Sequence, residues 1–145
     1  MSAPPPLVSI EFETIRQALY DTQLPDTDLI IAVGSGGVVF ASMIAYKLNA
    51  PMTVIWLNYR GMDNQPIRSS PKLSEPFCLP NGVNHILLVD DVVVTGKTLN
   101  AAKTFLKDTN ITTVALKGHA DIVLFPQIKS CVQWPWNPKK PNSTL

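Results

Sequence analysis

At 145 residues, 46% of them hydrophobic and 16% charged, the chain is long enough to bury about two-thirds of its unfolded surface in one core. A second domain has no room, so residues 1–145 are expected to form a single domain with extended tails at 1–7 and 138–145. A net charge of +1 gives no general electrostatic support for nucleic acid or an acidic membrane as partner, and no apolar run approaches the roughly 20 residues needed to span a bilayer.

The N-terminus lacks a basic segment followed by a long apolar stretch, and Cys78 and Cys131 form no CxxC or zinc-type cluster. A cytoplasmic protein with reduced thiols is expected. Ser9 reads as the N-cap of a helix reaching about Asp21, with Phe12, Ile15 and Leu19 on one face. Leu29–Val33 is a short apolar strand, followed by the glycine-rich "GSGG" and a helix over Val38–Leu48. "MTVIWLNY" is a second strand, in which Trp56 and Tyr59 read as strand core or interface. Residues 60–84 are polar and punctuated by proline, and a connection of that length points to a functional loop or flap.

His85–Val89 is the third strand, Lys97–Lys107 the next helix with Leu99, Ala102, Phe105 and Leu106 inward, and Thr112–Leu116 a fourth strand. "DIVLF" and "SCVQW" add short strands. Continuously apolar strands alternating with helices predict an α/β fold: a central, mainly parallel sheet covered by helices on both faces.

In such a sheet, ligands bind beyond the carboxyl ends of the strands. Asp90 and Asp91 stand at one such end, one able to accept from ligand hydroxyls while the other is nearer a metal ion or a structural partner. The turn Val94-Thr95-Gly96-Lys97-Thr98 then opens a helix, where unpaired N–H groups and the positive end of the dipole favour an anion. A monophosphate suits it. The GxxxxGK[ST] pattern of nucleotide-hydrolysing P-loops fails, because Asp91 occupies the position of its first glycine.

"ILLVDDVVVTGKT" resembles the 5-phosphoribosyl-1-pyrophosphate (PRPP) motif of the type I phosphoribosyltransferases. "AVGSGG" resembles their pyrophosphate loop. "NYRGMDNQP", "ALKGHAD" and "VQWPWNP" are similar to the flap start, base-reading lysine and Pro-Trp segment of the xanthine-guanine subgroup. The resemblance covers about residues 8–138. It implies the type I fold, with a small hood and a mobile flap, and magnesium-dependent transfer of phosphoribose from PRPP to a 6-oxopurine in purine salvage.

By the resemblance, Asp90 and Asp91 form the catalytic pair that holds the ribose hydroxyls, with Asp91 nearest the magnesium ion. Val94, Thr95, Gly96, Lys97 and Thr98 cradle the 5-phosphate, while Gly34, Ser35, Gly36 and Gly37 form the pyrophosphate loop. Tyr59, Arg60, Arg68 and Lys72 belong to the flap, and Lys117, Val132 and Trp134 to the base pocket. The partners implied are PRPP, a nucleobase and further copies of the chain, as a homodimer or homotetramer.

The motif also departs from its pattern. Val94 stands where the purine subgroup has an aspartate, Ser35 where a basic residue is frequent, and Cys131 where an aromatic residue stacks on the base. These departures leave open a different acceptor base, or a protein that binds PRPP or a nucleotide without transfer. His119 lies near Lys117 but has no evident partner that would make it a general base. Cys131 reads as a small buried hydrophobe.

Overall fold

Residues 7–58, 72–107 and 109–137 are described by the structure, a computed structural model. The expected flap residues Tyr59, Arg60 and Arg68 lie outside the described residues, as does the side chain of Lys72.

The main sheet is built from β2 (Leu29–Gly34), β3 (Met52–Asn58), β4 (Lys72–Leu73), β5 (His85–Val93), β6 (Asn110–Gly118) and β7 (Ile122–Val123). Their order is β4-β3-β2-β5-β6-β7, with every neighbouring pair parallel except β3 and β4. Between β2 and β3 runs α2 (Val38–Leu48), the span expected from its apolar pattern. Asn49 ends α2 in the left-handed conformation (φ 50°), and Pro51 starts the approach to β3, the punctuation that makes the chain turn here.

Alternate residues of the strands feed two separate cores. On one face Ile30, Ala32, Leu87, Val89, Val114 and Leu116 pack against Phe40, Ala41 and Ile44 of α2 and Ile15 and Leu19 of α1 (Phe12–Tyr20). On the other, Ile31, Val33, Ile86, Leu88 and Ala115 meet Leu99 and Ala102 of α3 (Lys97–Thr104), together with Leu106. The mainly parallel sheet covered on both faces is therefore observed. A small two-stranded parallel ribbon, β1 (Val8–Ser9) with β8 (Val132–Gln133), stands apart from the main sheet as the hood.

Several boundaries differ from expectation. Ser9 is not a helix cap: β1 pairs Ser9 with Gln133, and the amide of Ile10 donates to the Gln133 carbonyl at 3.2 Å, which keeps the chain extended until Glu11. Phe12 is exposed at the first turn of α1 and packs its ring on Trp136, 5.9 Å between centroids, rather than joining Ile15 and Leu19. The helix α3 ends at Thr104 because the Phe105 and Leu106 amides close back three residues, on Ala102 and Lys103 at 3.0 Å, leaving Phe105 exposed. Cys131 is exposed, not buried.

Two anchors outside the ladders fix the sheet. Asp28 accepts from the Asn84 and His85 amides at 2.9 and 3.0 Å, tying the start of β5 to the start of β2. Those bonds hold its carboxyl below the usual carboxylate range. Buried Thr113 exchanges bonds with Asp121: its amide and hydroxyl donate to Asp121 Oδ2 at 2.9 and 3.1 Å, and the Asp121 amide donates to Thr113 Oγ1 at 2.9 Å. That clasp closes the turn after β6, which holds His119 just beyond Lys117.

Candidate functional site

The central strand β5 does not stop at its two acids. Its pairing with β6 continues through Asp90↔Ala115 to Val92↔Lys117 and Val93↔Gly118, so the acidic pair sits within the last turn of the ladder. The regular alternation lapses there. Counting on from Val89, Val92 belongs with the α3 side and Val93 with the α2 side, yet Val92 packs on the α2 core and Val93 on the α3 core. The local hydrogen bonds match this lapse: the Asp91 amide donates to Asp90 Oδ1 at 2.9 Å and the Val92 amide to Asp91 Oδ1 at 2.7 Å.

The two carboxylates face different loops. Asp90 lines a cavity of about 290 Å³ with Val92–Gly96, Thr98 and Leu99. Burial, followed by the Asp91 charge and a hydrogen bond with Asp91, pushes the Asp90 carboxyl up to about 8. Asp91 lies instead against the loop after β2: a Cβ placed on Gly36 would stand 2.8 Å from its Oδ1 and 2.9 Å from its Oδ2.

The walls of the cavity follow from local chemistry. Gly96 adopts φ 81°, a left-handed conformation that glycine takes without penalty, and so starts α3 directly from the strand end. Thr95 Oγ1 accepts from the Lys97 amide at 3.3 Å, capping the turn. The remaining amides of the first helical turn have no partner within the helix and belong to the electropositive end of α3. Val94 is 76% exposed at the rim, an apolar group beside an otherwise polar mouth.

Gly34, Ser35, Gly36 and Gly37 connect β2 to α2, with a cis peptide between Gly34 and Ser35. No side chain fits at two further points. A Cβ on Gly37 would meet the Val89 carbonyl oxygen at 2.5 Å, and one on Gly34 would meet the Trp56 ring at 2.5 Å. Trp56, read from sequence as strand core or interface, thus belongs to the surroundings of this loop.

Lys117, the last residue but one of β6, pairs beside Val92 and is half-buried. Gly118 follows at φ 104°, where an added Cβ would lie 1.9 Å from the Val93 carbonyl; the two strand ends press together and only glycine fits. "ALKGHAD" carries no local signal of this need, which comes from Val93 on the neighbouring strand. His119 joins the site through its backbone, the amide donating to the Val93 carbonyl at 3.0 Å, while the residue itself is exposed.

The structure thus brings together Asp90, Asp91, Val94–Thr98, Gly34–Gly37 and Lys117 at the carboxyl ends of β2, β5 and β6. It does not bring Trp134 to an open position. That indole is 3% exposed, packed in the α2-side core and stacked on Trp136 at 5.8 Å with planes 6° apart. The expectation that Trp134 meets a base is corrected on those grounds: its ring surface is taken up by core contacts. Val132 packs against the same core from β8. A larger groove, about 930 Å³, lies between α1 and α2, lined by Tyr20, Met43, Tyr46 and Lys47 among others, and contains none of these groups.

As to metals, no cluster of three or more His, Cys, Asp or Glu side chains able to hold one occurs among the described residues. The donor set still fits magnesium, which takes one or two carboxylates and completes its shell with water and substrate phosphate oxygens. Among the described residues no helix is long and apolar enough to cross a membrane.

Comparison with known proteins agrees with this geometry. Residues 10–121 match the phosphoribosyl transferase domain. The bifunctional protein PyrR of Corynebacterium diphtheriae is 32% identical over 110 residues, covering 70% of this chain and 57% of that protein, so the chain spans little more than half of that relative. Xanthine-guanine phosphoribosyltransferase of Chromohalobacter salexigens is 30% identical over 128 residues, covering 79% of this chain and 73% of the relative. Among solved structures, the purine phosphoribosyltransferase of Pyrococcus horikoshii superposes with a TM-score of 0.71 at 21% identity, covering 95% of this chain and 98% of the other. The strand-end acids, the Thr-Gly turn and the matched domain agree: the chain belongs to the phosphoribosyl transferase domain family.

Proposed function

We propose that this chain transfers phosphoribose from PRPP to a 6-oxopurine base (guanine, xanthine or hypoxanthine), releasing pyrophosphate and forming a purine nucleoside monophosphate. The observation that carries this reading is the divergence of the acidic pair. Asp90 faces the cavity at the start of α3 while Asp91 faces Gly36, so a single strand end serves two anion-binding loops at once. PRPP has that shape, a ribose with a phosphate at one end and a diphosphate at the other.

In this reading the backbone and hydroxyls of Thr95–Thr98 hold the 5-phosphate at the N-terminus of α3. Asp90 accepts a hydrogen bond from a ribose hydroxyl, which favours its ionised form once substrate is in place. Backbone amides of Ser35, Gly36 and Gly37 hold the diphosphate as a nest. Magnesium would be held by Asp91 and would neutralise the leaving diphosphate. Lys117 donates to the 6-oxygen of the base and sets its orientation. The bond from ribose C1 to the diphosphate oxygen breaks with its electron pair leaving on pyrophosphate. The purine nitrogen forms the new bond to C1 and gives up its proton to solvent water. Orientation and electrostatics supply most of the barrier reduction in such a site.

The test is a panel of purine and pyrimidine bases with PRPP and magnesium, reading both pyrophosphate release and nucleotide formation. Nucleotide from at least one 6-oxopurine is expected; no pyrophosphate from any base removes the transferase reading. Val94 favours a second reading, binding of PRPP or a nucleotide without transfer, because a valine at the cavity rim cannot partner a purine nitrogen. Calorimetry then shows tight PRPP binding in a protein inactive with the whole panel.

A further inference from the structure

We propose that Trp56 is a positioning residue for the diphosphate-binding loop: its indole lies on the bare Cα of Gly34 and fixes the course of residues 35–37 toward Asp91. The inference rests on the reading of Gly34–Gly37 as a diphosphate site.

Register, a close approach and a backbone hydrogen bond place Trp56. The β2–β3 register sets Gly34 directly opposite Trp56. A Cβ on Gly34 would fall 2.5, 2.7 and 2.8 Å from Trp56 Cε3, Cζ3 and Cδ2, so the six-membered ring of the indole fills the space that any larger residue at 34 would need. On the other edge of β3, the Ser74 amide donates to the Trp56 carbonyl at 2.8 Å, anchoring the backbone from which the ring projects. The strand is thus held along both edges, and the ring meets Gly34 on one of them.

Strand packing alone does not call for this residue. Trp56 is 37% exposed, and the other side chain of β3 most fully enclosed is Ile55, which already faces the core. A large apolar ring left partly in solvent at the root of an anion-binding loop does two things. It restricts the loop by shape, since Gly34 is flanked by the ring and its amides cannot swing outward on that side. It also lowers the local dielectric, which strengthens N–H contacts to a phosphate that settles there. The 5-phosphate pocket at α3 shares none of these contacts, so the effect is confined to one end of the substrate.

The experiment uses the whole chain and the variants Trp56→Phe, Trp56→Ala, Gly34→Ala and Gly34→Ala/Trp56→Ala, with folding checked by circular dichroism. Calorimetry measures magnesium pyrophosphate and, separately, ribose 5-phosphate. Trp56→Ala is expected to weaken pyrophosphate binding about tenfold while ribose 5-phosphate binding stays within about twofold, and Trp56→Phe to retain most of it. Gly34→Ala is expected to lose pyrophosphate binding, and the double variant to regain part of it, because removing the ring makes room for the methyl. In the wild type, pyrophosphate should change the tryptophan emission, and Trp56→Phe should abolish that change. Unchanged pyrophosphate binding in Trp56→Ala, equal weakening of both ligands, or a double variant no better than Gly34→Ala overturns the proposal. A wild-type protein that binds neither ligand defeats the phosphoribosyl reading itself and the inference with it. Should Trp56→Ala not fold, the wild-type emission and Trp56→Phe decide.

Discussion

The Asp91 carboxylate rests against Gly36 with no room for a side chain between them: a Cβ at 36 would lie 2.8 Å from Oδ1 and 3.0 Å from Cγ. Gly37, the next residue, is bounded by backbone instead, with the Val89 carbonyl oxygen at 2.5 Å and Asp90 Cα at 2.9 Å. The two glycines should therefore fail differently. In Gly36→Ala the Asp91 side chain can rotate away, so the fold survives and magnesium-dependent PRPP binding falls. In Gly37→Ala the sheet and α2 must separate, at a cost of about 1–3 kcal/mol in stability. Melting curves beside PRPP titrations check this, and equal melting temperatures for the two variants contradict it.

The Asp90 carboxyl, pushed up to about 8 by burial and the neighbouring Asp91 charge, holds a proton near neutral pH. An unfolded chain releases that proton near pH 4. Between these values the folded state binds one more proton, so without metal or ligand the stability contributed here falls as pH rises from about 4 to about 8. The slope for one proton is at most about 1.4 kcal/mol per pH unit. Asp90→Asn should flatten the curve. Thermal unfolding in chelator from pH 5 to 8 measures the difference between the two proteins, and a wild type that gains stability relative to Asp90→Asn across that range defeats the assignment.

Much of this arrangement was legible in the chain. Asp90-Asp91 followed by Thr-Gly-Lys-Thr marks an acidic strand end before a helix N-terminus, and Val38–Leu48 reads as a helix because it is largely apolar and helix-compatible. What escaped depended on partners far away in sequence. Ser9 looks like a cap until Gln133 arrives beside it as a strand partner. The apolar run of β5 stops at Val89, but pairing with Ala115, Lys117 and Gly118 carries the strand to Val93. Trp134, just before Pro135, reads either as a packing group or as a base contact, and the packing of Trp136 and Phe125 around it decides for the core. Nothing in "ALKGHAD" announces that Gly118 must pass the Val93 carbonyl.

The Thr113–Asp121 clasp closes the turn just beyond Lys117, so its loss should be felt in stability and, if Lys117 meets the base as proposed, at the base as well. Asp121→Ala leaves the buried Thr113 amide and hydroxyl without their acceptor, which costs about 1–3 kcal/mol. Asp121→Asn keeps one acceptor oxygen and should cost less. With Lys117 less well held, KM for the base should rise while KM for PRPP stays near the wild-type value. Denaturant unfolding gives the first quantity and steady-state kinetics the second; a loss in PRPP affinity as large as that for the base would show a general collapse instead.

Val94 separates the two functional readings. It stands 76% exposed at the cavity rim, so an aspartate there would meet water and need no repacking of the core. Val94→Asp should consequently leave the melting temperature nearly unchanged, while placing a carboxylate where a purine imidazole nitrogen is presented. If the chain is a purine enzyme weakened at this one position, kcat/KM for a 6-oxopurine should rise, by up to about 10²-fold, the lower end of what a positioned proton acceptor supplies. PRPP affinity should change little if, as proposed, residues 95–98 take the phosphate and residues 34–37 the diphosphate. A stable Val94→Asp variant that binds PRPP as before and gains nothing with guanine, xanthine or hypoxanthine would turn the assignment toward another base or toward binding without transfer.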